Sequence, residues 1–211
     1  MSGGLRDCQR RRLVECAKKS FAVGGYYTTS ISEIAHQAGV ARSTFYQYFD
    51  NKAHLFQSIL DSFLQDLQDA IRPINLGHGA SAPLVQIKSN LTRVLDLVLQ
   101  ERELTQILLH NAGALDSTVE NRLSAFYGQV AEMIEHSLTL GMSMNLVRPC
   151  NARLMSYAII GAIKEVVHQL TSTTRPQPTV EELMRELLEF GTIGILANPR
   201  ASLVRNSPQA G

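Results

Sequence analysis

The chain reads as all-α, with a small N-terminal helix-turn-helix domain followed by a larger helical domain. Three observations point there. Apolar residues recur at three- and four-residue spacing along most of the 211 residues. Between residues 26 and 56, two short helical patterns flank Gly39 behind a third, basic helix. From Lys52 onward the pattern reads as helix throughout.

The first helix is expected from about Arg6 to Val23, with Leu13, Cys16, Ala17, Ser20 and Phe21 as its buried stripe. Gly24-Gly25 stops it, because glycine tolerates the left-handed conformation of a helix end. Ser30-Ile31-Ser32-Glu33 is a capping box, in which the Ser30 hydroxyl accepts an orphan N–H and Glu33 reaches back. Ile31, Ile34, Ala35 and Ala38 form the buried face of the second helix, and Gly39 makes the turn. The third helix is expected over Arg42–Phe49. Phe45 and Phe49 point to the core, and Arg42, Ser43, Tyr46 and Gln47 lie on the other face. That face offers a bidentate donor for guanine, hydroxyls, and an amide able to pair with adenine. Thr44, Tyr48 and Lys52 flank it and suit phosphate contacts.

From Lys52 the chain is helical. One helix carries Leu55, Phe56, Ile59, Leu60, Phe63, Leu64 and Leu67 and ends before Pro73. Others are expected over Leu84–Gln100, over Leu104–Asn111 with a break at Ala112-Gly113, and after Asp116 as far as Leu138. Two more follow, starting at Asn151 and at the second capping box, Thr179 to Glu182. These divisions give residues 1–54 as the helix-turn-helix domain, 55–198 as the helical effector-binding and dimerisation domain, and 199–211 as a disordered tail.

Composition bounds the function. Hydrophobic residues make up 45% and charged residues 18%, which is ordinary globular usage. No run of about 18 apolar residues exists, so no membrane partner is expected. The Arg-rich start lacks the apolar stretch of a secretory signal. Cys8, Cys16 and Cys150 have neither disulfide nor zinc spacing, which fits a reducing cytoplasm. The net charge of +1 hides an asymmetry: residues 1–54 carry eight Lys/Arg against four Asp/Glu, and the remainder is net negative. A basic head on an acidic body suits a polyanionic partner for the head.

The stretch Gly25-Tyr26 through Phe56 closely resembles the head of the TetR/AcrR family of bacterial transcriptional regulators. The resemblance rests on Thr29-Ser30, Ala38-Gly39-Val40 and Ser43-Thr44-Phe45-Tyr46-Gln47-Tyr48-Phe49. By position it implies DNA contact at Thr29, Ser30, Arg42, Ser43, Thr44, Tyr46, Gln47, Tyr48 and Lys52. Arg42, Ser43, Tyr46 and Gln47 are expected to touch bases. Arg10-Arg11-Arg12 reads either as a solubilising helix start or as a phosphate or minor-groove contact.

The resemblance also implies a homodimer through the last two helices. Their apolar residues, among them Ala158, Gly161 and Ala162 on one and Leu187, Phe190, Gly191 and Gly194 on the other, nearly surround each helix. Two heads would then sit about 34–36 Å apart, or somewhat more, on a palindromic operator. A small apolar or amphipathic effector is implied in the body. The candidate lining is Phe63, Leu67, Leu95, Leu99, Leu108, Phe126, Tyr127, Val130, Met133 and Tyr157, with His110, Asn111 and His168 as polar handles. The expected function is a dimeric repressor released from its operator by that effector. An activator or ligand-independent regulator of the same fold is the alternative within the family.

Outside it, the alternative is a helical metal-binding enzyme. Glu165 and His168 have the Glu-x-x-His spacing of di-iron bundles, but no second such motif accompanies them. Cys150, just before a helix start, is a candidate redox thiol. No Gly-x-Ser-x-Gly, P-loop, dinucleotide fingerprint or His-Glu-x-x-His occurs, so no enzyme, cofactor or metal is expected.

Overall fold

The computed structural model describes residues 2–115, 117–172 and 178–195, and the side chains of 6–109, 118–172 and 178–192 within them. The expected tail, 199–211, lies outside the described residues. The helices are α1 (Ser2–Gly24), α2 (Ile31–Gln37), α3 (Arg42–Phe45), α4 (Lys52–Ala70), α5 (Pro83–Gln100), α6 (Arg102–Leu115), α7 (Ser117–Ser143), α8 (Ala152–Ser172) and α9 (Val180–Ile195). No strand occurs among the described residues.

Four boundaries differ from expectation. α1 starts before Arg6. α3 has only four regular residues, and the chain then tightens: Gln47 N–H bonds Thr44 O (3.2 Å) and Tyr48 N–H bonds Phe45 O (3.0 Å). α6 passes through Ala112-Gly113 to Leu115. A helical glycine costs about 1 kcal/mol relative to alanine but does not forbid the helix. α7 likewise continues through Gly141, where Val147 packs so closely that an added Cβ would lie 2.6 Å from its side chain.

α1, α2, α3 and the first turns of α4 make the head. Leu13, Ala17, Phe21, Ile34, Ala38, Phe45, Phe49, Leu55 and Phe56 are buried there. Phe21, Tyr26 and Phe56 meet with ring centroids 5.2 to 5.7 Å apart, a tilted and edge-on geometry that favours aromatic pairs. The same cluster continues along α4 through Ile59, Leu60, Phe63, Leu64 and Leu67 into the body, where Leu95, Leu104, Leu108, Leu123, Val167 and Leu183 join it. α4 is therefore a shared element of head and body. It ends without a glycine. Side chains of α5 take up carbonyls at and just beyond its end, with Arg93 Nε donating to Ala70 O (2.9 Å) and Asn90 Nδ2 to Arg72 O (2.7 Å).

α7 and α8 pack as a pair, α9 lies on α5, and α6 touches both α1 and α8. α4 is further tied to α7 by the Asp61–Arg122 ion pair and by Gln68 Nε2 donating to Gln129 Oε1 (2.7 Å).

Candidate nucleic-acid interface

The Ser30 hydroxyl accepts the N–H of Glu33 at 3.1 Å and so caps α2. Glu33 does not close the box; its carboxylate instead accepts from Gln37 Nε2 at 3.4 Å. At the other end Val40 N–H reaches back to Ala35 O (3.0 Å) and Gly39 N–H to His36 O (3.0 Å). This double closure is a Schellman turn, which requires a left-handed residue, and Gly39 supplies it with φ +64°. The turn sends the chain into α3 at a fixed angle. Phe45 and Phe49, 0% and 2% exposed, anchor the inner side of that turn.

The outer side is polar and open. Arg42, Ser43, Tyr46 and Gln47 are all exposed. Arg42 Nη2 donates to the Tyr46 hydroxyl at 3.4 Å, and its guanidinium lies 6.0 Å from the Tyr46 ring centre. Guanidinium, hydroxyls, phenol and amide therefore sit on one short surface, the donor and acceptor set that reads base edges in a major groove.

The flanking residues are placed differently from expectation. Thr29 is 3% exposed, and its hydroxyl donates to Ser20 O (3.1 Å) and Gly25 O (2.8 Å), so its side chain closes the α1–α2 loop and faces inward. Tyr48 is half-buried, and its hydroxyl donates to Gln9 Oε1 at 2.9 Å, tying the α3 turn to α1. Lys52 is half-buried, and its ammonium donates to the carbonyls of Tyr26 (2.6 Å), Tyr27 (3.1 Å) and Thr29 (2.8 Å). Burial pulls its pKa below the ordinary lysine value. Thr44 is half-buried beside the open face, and Ser30 is exposed but used as the cap.

Arg10-Arg11-Arg12 lies inside α1. Arg10 Nη2 donates to Ser58 Oγ (2.8 Å), with its guanidinium 5.4 Å from the Phe49 ring centre, so Arg10 joins α1 to α4. Arg12 presses against Gly39, and Arg11 is exposed. The supports of the turn on α1, namely Gln9, Arg10 and Arg12, carried no sequence signal beyond their polarity.

In the body, Phe63, Leu67, Leu95, Leu108 and Phe126 are packed core, with Leu99, Tyr127 and Val130 against them. Met133 and His168 are half-buried. Burial raises the Tyr127 phenol pKa, and Lys164 Nζ sits 5.2 Å from its ring centre. Tyr157 departs from its expected place in a cavity wall: it is 49% exposed, and its hydroxyl accepts from Arg153 Nε at 3.0 Å. The side chains of His110 and Asn111 lie outside the described residues. Among the described residues, open grooves lie elsewhere, one along α1 and one between Asp66 and Asp69 of α4 and Arg93 and Asp96 of α5.

The last two helices expose different surfaces. On α8, Leu154, Tyr157, Ala158 and Gly161 are exposed and Ala162 is half-buried; no atom lies within 4 Å of where a Cβ on Gly161 would stand. On α9 the expected all-round apolar surface is absent. Leu183 and Met184 are buried and Leu187, Leu188 and Gly191 half-buried on one side, whereas Glu182, Arg185, Glu186 and Glu189 are exposed on the other. Phe190 is 73% exposed at the edge of these faces. Gly194 lies outside the residues with described side chains.

The Glu165 carboxylate accepts from Gln169 Nε2 at 2.7 Å, and no cluster of three His, Cys, Asp or Glu with metal-binding geometry occurs among the described residues. The half-buried Cys150 has its Sγ 4.0 Å from Met142 Sδ. No described helix is long and apolar enough to cross a membrane.

A buried tri-helical head with an open polar turn at its third helix defines a helix-turn-helix DNA-binding regulator. Residues 13–59 match the family model of bacterial regulatory proteins of the tetR family. The chain is 23% identical over 196 residues to the HTH-type transcriptional regulator YhgD of Bacillus subtilis, covering 90% of this chain and 98% of that one. It is 33% identical over 116 residues to the HTH-type transcriptional regulator TtgR of Pseudomonas putida, 54% of this chain and 55% of that one. Among solved structures, NalD of Pseudomonas aeruginosa, the secondary repressor of the MexAB-OprM multidrug efflux pump, matches with a TM-score of 0.71 at 22% identity over 90% of this chain and 98% of that one. The fatty acid degradation regulator FadR of Bacillus halodurans matches with a TM-score of 0.69 at 20% identity over 87% and 94%. Residues 13–59 therefore carry a DNA-binding head of the tetR type, and the proteins that the chain resembles are described as transcriptional regulators.

Proposed function

We propose that this regulator is a homodimeric repressor of the cytoplasm that leaves a palindromic operator when a small apolar or amphipathic molecule binds its body. The observation that carries the DNA half of this reading is the exposed set Arg42, Ser43, Tyr46 and Gln47, held on a turn whose inner face is fully buried. Thr44, Ser30 and Tyr48 stand beside it as candidate backbone contacts. The dimer half is supported by the exposed Leu154, Tyr157, Ala158 and Gly161 of α8 and by Phe190 of α9. An apolar patch of this kind marks an association surface, and a twofold pair of heads matches a twofold operator.

The effector half is supported by relatives described as governing multidrug efflux or fatty acid degradation, and by an inner surface built almost entirely of apolar side chains. Its polar exceptions include Tyr127 and His168. Release follows if the effector favours one arrangement of the heads over the other.

The test is binding of the purified chain to a duplex that it selects from a random-sequence pool, at two salt concentrations. Selective binding that weakens with salt is expected. Arg42→Ala and Tyr46→Ala should each lose the selectivity while remaining folded dimers. Wild-type strength in either variant would refute the role given to α3. Titration with apolar and amphipathic ligands then tests release.

A further inference from the structure

We propose that Lys52 is a positioning residue for DNA binding: its ammonium locks the α1–α2 loop to the first turn of α4 and does not contact phosphate. This rests on the DNA-binding reading of the head and changes the role expected for one residue within it.

A lysine just after a DNA-reading turn ordinarily reads as a phosphate contact. Here its three N–H donors are already matched by three converging carbonyls, those of Tyr26, Tyr27 and Thr29, at 2.6 to 3.1 Å. An ammonium has three donors, and none is left to reach outward. The ammonium also lies 4.6 Å from the centre of the Tyr26 ring, which is packed on Phe56 of α4. The loop is also fastened to the end of α1 and to itself by the Thr28 and Thr29 hydroxyls on carbonyls of Ser20 and Gly25. Residue 30, the cap of α2, follows directly. Lys52 therefore sets where α2 begins relative to α4, and α2 sets the angle at which α3 is presented. Because α4 continues into the body, a tilt of α4 carries the loop with it.

A compact tetrahedral ammonium fits three carbonyls converging on a point; the planar fork of arginine does not. That difference gives the test. Lys52→Met and Lys52→Arg are compared with the wild type for affinity and for the slope of log K against log salt, on a duplex selected by the wild type. Amide exchange of Thr29 and Glu33 is measured in the DNA-free proteins. Removing a direct phosphate contact reduces the slope by about one, and arginine would replace lysine there with little loss. Removing a clamp leaves the slope unchanged.

The expected result is at least a tenfold loss of affinity in both variants, an unchanged slope, and at least tenfold faster exchange at Thr29 in Lys52→Met. A slope reduced by one, wild-type binding by Lys52→Arg, or unchanged exchange at Thr29 overturns the proposal. If the wild type selects no duplex, it is the DNA-binding reading that fails, and exchange in the free protein alone decides the clamp.

Discussion

The ammonium of Lys18 on α1 lies 2.8 Å from each carboxylate oxygen of Glu101, the residue that ends α5 and precedes α6. Glu15 adds a second carboxylate at 3.3 Å. This is a direct polar tie between the head and the corner of the body, 83 residues apart in sequence. Burial opposes the charge on Lys18, but the hydrogen bonds and charges of Glu101 and Glu15 outweigh it and raise the lysine pKa.

A double-mutant cycle with Lys18→Met and Glu101→Gln should therefore show a coupling of about 1 kcal/mol in urea unfolding, modest because both side chains keep some contact with water. The folded pKa is raised, so the coupling is fully present below the ordinary lysine range and lost as the pH rises through the raised value. Equal coupling at pH 7 and pH 9 is expected. A value near zero at pH 7 would remove the tie from any account of how head and body communicate.

Gly39→Ala should destabilise the head for two separable reasons. Its φ of +64° disfavours any Cβ, and that Cβ would stand 2.6 Å from Arg12 Nη2. A loss of about 1–2 kcal/mol is expected. In an Arg12→Ala background the clash disappears but the backbone strain of about 1 kcal/mol remains. Additive effects of the two substitutions in thermal unfolding would show that Arg12 and Gly39 are not in contact.

Gly161→Arg and Phe190→Glu should each dissociate the proposed dimer. Both positions are open in the single chain, so the folded protomer tolerates them, and helical content should hold. Sedimentation equilibrium at micromolar concentration should then report a monomer, with weaker operator binding. A dimer that survives Gly161→Arg would place the interface away from the open face of α8.

α9 begins with a complete capping box, in which Thr179 N–H donates to Glu182 Oε2 at 2.9 Å and Glu182 N–H to Thr179 Oγ1 at 3.2 Å. The Thr179 backbone N–H, then its hydroxyl, holds the Glu182 carboxyl below its ordinary pKa. This contribution is present above the ordinary carboxylate range and lost as the pH falls through the lowered value. Amide exchange at the start of α9 should accelerate on acidification, and Glu182→Gln should flatten that dependence. A Glu182 titration at the unfolded value would contradict it.

The head was legible because its signals are local. Ser30 lies three residues from Glu33, Gly39 sits in the turn, and Phe45 and Phe49 are one helical turn apart. The hydrogen bonds that hold Lys52 were not legible, because its ammonium bonds carbonyls 23 to 26 residues away, and the inward turn of Thr29 depends on how the α1–α2 loop closes. α9 was misread because a count of its leucines gives apolar quantity, not direction; α5 takes one face and the glutamates take the other. For Phe63, Leu95 or Phe126, periodicity identifies an inward residue, but core filling and cavity lining share that pattern.

α3 supplies only one regular turn. A turn about 6 Å long covers about two base pairs at roughly 3.4 Å each, and side chains reaching past its ends extend that to roughly four. One head then distinguishes about 250 sequences, against the roughly 10⁶ or more competing sites of a genome. In the proposed dimer, two heads raise that to about 65,000, still short of a unique address. The missing information has to come from positions that no side chain touches, through the sequence-dependent stiffness and groove width of the intervening duplex.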